Sequence, residues 1–163
     1  MERTISFMNG KGPIGHNTRS FIADNVDVSR TKNNITLIHE DIKQVYHKLF
    51  DKALDEYNAK QKRKDRQIKS YYEKISRSKQ EKLFYEVIVQ IGNKDDTGVG
   101  SSAVEVATWV LKDYVKMFQL RNPQLYVIGA YIHLDEETPH LHLNFVPWVS
   151  GCKRWCIVPY YAE

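Results

Sequence analysis

Residues 132–145 read IHLDEETPHLHLNF, and this stretch decides which fold the chain can adopt. Successive side chains of a strand point to opposite faces. In the run 140–148, HLHLNFVPW, that alternation sets His140, His142 and Asn144 on one face and Leu141, Leu143 and Phe145 on the other. Upstream, LYVIGAYIH at 125–133 has the composition of another strand. Only LDEETP separates the two runs, short enough for an antiparallel hairpin. The hairpin returns His133 toward His140 and His142, so three imidazoles converge from two rigid strands and leave room for further ligands. Neutral imidazoles suit Mn, Fe, Co, Ni, Cu or Zn, whereas hydrated Mg²⁺ prefers oxygen. Asp135 and Glu136, at the turn, are near enough to orient a ligand histidine or a metal-bound water. A metal held by three protein ligands acts as a Lewis acid, which many hydrolases exploit.

Working outward, LFYEVIVQI at 83–91 is rich in aromatic and β-branched residues and predicts a buried strand. RTISFMN at 3–9 predicts a first, short one. Between them, Ile38, Ile42, Val45, Leu49 and Leu54 recur at helical spacing, predicting a helix from about Leu37. That face fades after Tyr57 into a basic stretch, Lys60 to Lys82, read as a helix with almost no apolar stripe. A further helix is expected from about Ser102, where Ser102 and Glu105 fit a capping box and Val104, Ala107, Leu111, Tyr114 and Phe118 form the apolar face. Asn122-Pro123 ends it. Residues 16–35 read as a long ordered loop. The order β-α-β-α-β-β predicts an α+β domain, an antiparallel sheet flanked by helices.

The chain's 163 residues suit one domain, and 42% hydrophobic with 27% charged residues suits a globular protein. No apolar run approaches membrane-spanning length and the N-terminus lacks a signal-like apolar region, so a cytoplasmic location is expected. Cys152 and Cys156 are read as reduced thiols. Lys60 to Lys82 carries ten Lys/Arg and three Asp/Glu, against a net charge of +4 for the whole chain. The rest is therefore mildly acidic. One basic segment on such a body is either a solvated face or a local polyanion contact. A second polar cluster, His16-Asn17-Thr18-Arg19, follows a glycine-rich turn. It offers a nucleophile and an arginine that could reach a phosphate on the metal, and equally a set of loop hydrogen bonds.

HLDEETPHLHLNFVP at 133–147 and GHNTRSFIADNVDVSRTKNNITL at 15–37 together resemble the Mob/Pre plasmid recombination enzymes, relaxases of the HUH endonuclease superfamily. EYNAKQKRKDRQIKSYYEKI and KQEKLFYEVIVQIG extend the resemblance, which covers nearly residues 4 to 154. It implies a plasmid-mobilisation relaxase that nicks one strand at a transfer origin. His16 would be the nucleophile, forming a 5′-phosphoramidate and a free 3′-OH. Arg19 would neutralise the phosphate. His133, His140 and His142 would hold one Mn²⁺ or Mg²⁺. Glu136 would orient His16 or take its proton, with Asp135 a weaker candidate. The partner would be plasmid DNA, an origin hairpin and its adjoining single strand, with accessory mobilisation or coupling proteins. Asn17, Arg30, Lys32, Lys62, Arg63, Lys64, Arg66 and Lys69 would contact it. Two departures stand out: Val28 occupies a position where the family usually has proline, and from Trp155 onward the sequence no longer looks like family sequence. Residues 1–154 are thus expected to form the catalytic domain and 155–163 an atypical tail. Two alternatives remain, a replication initiator using a tyrosine (Tyr71, Tyr72, Tyr160 or Tyr161) and a DNA-binding form that does not cleave.

Overall fold

The structure, a computed structural model, describes residues 3–149. The predicted hairpin is present. Strand β4 (Leu125–His133) pairs antiparallel with β5 (His140–Pro147), with His133 directly opposite His140. Around this pair, β1 (Ile5–Asn9), β2 (Ile35–His39) and β3 (Tyr85–Ile91) complete an antiparallel sheet in the order β1-β3-β5-β4-β2. The helices are a single turn, α1 (Ile14–Asn17), then α2 (Ile42–Ala59), α3 (Tyr71–Ser76) and α4 (Val104–Arg121). The α+β class expected from the sequence is the one observed. No helix among the described residues is long and apolar enough to cross a membrane.

Each face of the sheet has its own partner. Leu141, Leu143 and Phe145 pack with Ala130, Ile132 and Val89 against Ala107, Leu111, Val115 and Phe118 of α4. The opposite face is divided along β5. At one end Val146 joins Ile128 under Val45, Tyr46, Phe50 and Leu54 of α2 and Tyr71 and Ile75 of α3. Continuing along the strand, Asn144, His142 and His140 occupy the same face. A register shift between Val127 and Gly129 keeps β4 in step with β5. Without the extra residue, Val127 and Ala130 could not both lie in the α4 core, since their separation has the wrong parity for one strand face.

Several expected elements differ. Leu37 and Ile38 belong to β2. The helix starts later, at Ile42, where Asp41 caps it by accepting from the Gln44 N–H at 2.9 Å. The sheet therefore has one more strand than the sequence pattern implied. The basic stretch is not one helix: α2 ends at Ala59, Lys64–Arg66 make a 3-10 turn, and a new helix begins after Ser70. With no apolar stripe to bury, residues 60–69 loop out, and Asn58 pins the loop by accepting from Ile68 N–H (2.9 Å) and donating to Ile68 C=O (2.8 Å). The Ser102–Glu105 capping box does not form; Ala103 holds the cap position of α4 without a side-chain bond. Within 16–35 lie the end of α1, a 3-10 turn at Val28–Asn33 and the first residue of β2.

Candidate functional site

His133, His140 and His142 converge as the hairpin requires. Their ring centroids are 4.6 Å (133–142), 5.3 Å (133–140) and 5.0 Å (140–142) apart. Each ring is oriented by one nitrogen. His133 Nε2 donates to Asn17 C=O (2.9 Å), His140 Nδ1 to Thr138 C=O (2.8 Å) and His142 Nδ1 to the Glu86 carboxylate (2.8 Å). An imidazole that donates from one nitrogen and is neutral carries a lone pair on the other. Burial lowers the pKa of His133 to about 3, the bond to Asn17 opposing and the charges of His142 and Arg19 adding to the shift. Burial likewise lowers that of His140. Two of the lone-pair nitrogens, His133 Nδ1 and His142 Nε2, are buried and make no hydrogen bond among the described residues. Leaving such atoms unpartnered is costly in a protein interior, and an electrophile between them would satisfy both.

Helix α1 brings His16 to this cluster. Its ring lies 5.4 Å from His142 and 5.7 Å from His133, edge-on to both. Ligand atoms of His16, His133 and His142 lie within 4.8 Å of one another, as do those of His133, Glu136 and His140. The three predicted metal ligands are thus spread over two overlapping triads that share His133. The pKa of His16 is lowered by burial, then by Arg19 and His142, so the ring is neutral at pH 7. Glu136 Oε1 stands 3.9 Å from His16 Nε2, and Arg19 Nη1 3.3 Å.

Arg19 sits in the left-handed backbone region (φ 57°), where a side chain is strained. Its guanidinium is gripped by two carboxylates through three hydrogen bonds. Nε reaches Asp135 Oδ2 at 2.9 Å, and Nη2 reaches Asp135 Oδ1 at 2.5 Å and Glu136 Oε1 at 2.7 Å. Burial opposes the charge, but the two carboxylates more than offset it and raise the pKa of Arg19. Asp135 is fully buried and also accepts from Asn34 (2.6 Å) and Thr31 (3.1 Å). Burial alone would raise its pKa, yet the bonds from Arg19 and Asn34 hold it at about 2. Asn25 adds a bond to Glu136 Oε2 (2.8 Å), and Asn34 accepts from Leu134 N–H (2.7 Å). The loop is in this way buttoned onto the hairpin turn. Asp135 is spent on that union, while Glu136 faces His16, His133 and His140 at 3.7–3.9 Å.

Glu86 escaped the sequence reading. It lies on β3 opposite Asn144 and orients His142 while accepting from Asn17 at 2.6 Å. The signal was a single carboxylate inside an apolar strand, which must have a buried partner. Asn17 also donates to Asn144 (3.0 Å) and is 2% exposed, so its side chain braces the site and offers no surface to DNA. Lys32, Lys62, Lys64, Arg66 and Lys69 are exposed; Arg30 and Arg63 are as well or nearly so, but pair with Asp27 (2.8 Å) and Asp65 (2.6 Å). Tyr71 is buried and Tyr72 half-buried in the aromatic cluster beneath α2, packed on Tyr46. Tyr160, Tyr161, Cys152, Cys156 and the departure at Trp155 lie outside the described residues.

A five-stranded antiparallel sheet flanked by helices, carrying a histidine cluster on its central hairpin, is a fold of the relaxase-domain class. Solved structures of that class match it. One is the MobM relaxase domain bound to 22-nucleotide oriT DNA of plasmid pMV158, a Mn-bound crystal structure at pH 5.5. Identity is 23% over 93% of this chain and 73% of that one, with a TM-score of 0.52. Another is the same domain with DNA carrying a 3′-thiophosphate, Mn-bound at pH 6.8, at 24% identity over 93% and 74% and a TM-score of 0.52. No curated protein matches the chain. The sequence profile of the plasmid recombination enzymes, Mob_Pre, matches residues 14–154, and the chain belongs to that family.

Proposed function

We propose that this protein is a relaxase that nicks one strand of plasmid DNA at a transfer origin through His16. The observation that carries the reading is the pair of buried, unpartnered nitrogens, His133 Nδ1 and His142 Nε2, facing a neutral histidine. His133, His140 and His142 would hold a divalent ion, and their imidazole chemistry favours Mn²⁺ over Mg²⁺. When bound, that ion supplies Lewis-acid polarisation of a non-bridging phosphate oxygen. The protein's own groups do the rest. A nitrogen of neutral His16 attacks phosphorus and forms an N–P bond. The P–O3′ bond breaks, and the 3′-oxygen leaves as a hydroxyl once protonated. Glu136 draws the proton that His16 must shed, and Arg19 balances the charge growing on the phosphoryl oxygens. The family match at 14–154 supports reading residues 1–154 as the catalytic domain.

The relatives carry oriT DNA and Mn in their structures, which supports DNA as the substrate here. The test uses the protein with Mn²⁺ and supercoiled plasmid bearing its origin. A covalent protein–DNA adduct should form, survive denaturation at neutral pH and vanish in mild acid, because a phosphoramidate on histidine is acid-labile. His16→Ala should abolish it with DNA binding retained. An acid-stable adduct, or one mapped to a tyrosine, refutes the assignment.

A further inference from the structure

Three hydrogen-bond acceptors meet beside the hairpin turn. His133 donates from Nε2 to Asn17 C=O and His140 from Nδ1 to Thr138 C=O, so each neutral ring carries a lone pair on its other nitrogen. Glu136 Oε1 lies 3.9 Å from that nitrogen of His133 and 3.7 Å from that of His140. Burial lowers the pKa of both histidines, so both rings are neutral at pH 7. Ionised, Glu136 can only accept. None of the three groups can therefore donate to another. Such a set repels itself in a protein interior, and a cation reconciles it.

The carboxylate is held in this pose by two donors. Asn25 gives a bond to Oε2 at 2.8 Å, and Arg19 Nη2 gives one to Oε1 at 2.7 Å. Oε1 keeps a second lone pair. Ligand atoms of His133, Glu136 and His140 all lie within 4.8 Å of one another. The neighbouring carboxylate cannot serve instead, since Asp135 accepts from Arg19, Thr31 and Asn34. The donor set also has a chemical preference. Imidazoles suit Zn²⁺ and Cu²⁺, whereas a carboxylate oxygen suits Mn²⁺.

We propose that Glu136 is a further ligand to the ion held by the histidines while no DNA is bound, that it biases the site toward Mn²⁺, and that the DNA phosphate takes its place. The proposal rests on the metal and DNA reading above and deepens it. Once displaced, the same oxygen stands 3.9 Å from His16 Nε2, where it can draw the proton of the nucleophile. Glu136 is thus engaged as a base only when a phosphate has arrived.

The test begins with the DNA-free protein and Mn²⁺ alone. Glu136→Gln should weaken Mn²⁺ binding by about ten-fold or more, the scale set by residues that merely support a ligand, and weaken Zn²⁺ binding less. Water-proton relaxation per bound Mn²⁺ should rise, because water enters where the carboxylate was; loss of a residue that only orients a histidine leaves it unchanged. Glu136→Ala, which keeps no side-chain oxygen, should give the same rise. Unchanged affinity and relaxation overturn the proposal, as does a loss of affinity with no rise, and equal losses for the two ions remove the bias toward Mn²⁺. The exchange is read in the His16→Ala background, where the strand stays uncut. A single strand spanning the origin, at saturation, should make relaxation per bound Mn²⁺ equal in His16→Ala and in the double variant with Glu136→Gln. A difference that persists overturns the exchange. If the parent protein binds no Mn²⁺, or His16→Ala no strand, the underlying reading fails with the proposal, so the two failures are told apart.

Discussion

His133 has its second nitrogen tied to Asn17, its first left bare, and a pKa near 3. Its pKa is depressed on folding, so between about 6.5 and 3 the unfolded chain binds a proton that the native chain refuses. Stability is then complete above pH 6.5 and declines as the pH falls below it. Asp135, held at about 2 from an ordinary 3.8, contributes stability above 3.8 that is lost as the pH falls toward 2. Melting temperature in the absence of metal should therefore be flat above neutrality, fall below pH 6.5 and fall more steeply below 3.8. His133→Gln should blunt the first decline, and a parent curve flat down to pH 5 refutes it. The histidines and the two turn carboxylates could be named from the sequence because strand alternation and a short turn fix their neighbours. The division of labour between Asp135 and Glu136 could not, since it depends on Arg19, Thr31 and Asn34, more than a hundred residues upstream.

Among the elements, β4 carries its own test. A methyl group at Gly129 would sit 2.7 Å from Tyr131 Cε2 and 3.1 Å from Asn144 Oδ1, the oxygen that receives Asn17. Gly129→Ala should cost about 1–3 kcal/mol in chemical denaturation, since tight packing tolerates extra atoms badly. An unaltered midpoint would mean that the register shift has room to spare. The glycine inside LYVIGAYIH was the available sign of an irregular strand. Strand β2 was lost to the helix reading because Ile38 happens to continue the spacing of Ile42, Val45 and Leu49; Asp41, a capping residue, marked the true start. The loop 60–69 makes a different prediction. Exposed Lys62, Lys64 and Arg66 should each lower the salt dependence of origin binding when changed to glutamine, by about 0.7–0.9 in the log–log slope per phosphate contact removed. A slope equal to the parent's would leave these side chains as solvated surface.

At the scale of the molecule, the site is a seam between chain segments far apart in sequence. Residues 14–34 are held against the hairpin turn, and β3 delivers Glu86 from the side. An ion that bridged the cluster would tie these segments together and stabilise the native state alone. Mn²⁺ at one hundred times its dissociation constant should add about 2.7 kcal/mol, read as a rise in melting temperature. His142→Ala should erase that rise, and an equal rise in parent and variant would place the ion elsewhere. The sheet order holds a further consequence, for synthesis. Strand β5 joins β1-β3 to β4-β2, yet among the described strands it is the last to be made. A ribosome releases the chain from its N-terminus. Until His140–Pro147 emerge, two half-sheets stand without a centre, the α4 face lacks Leu141 and Leu143, and two of the clustered histidines do not exist. Core and histidine cluster are therefore completed by the same eight residues, and a nascent chain that stops short of them has neither.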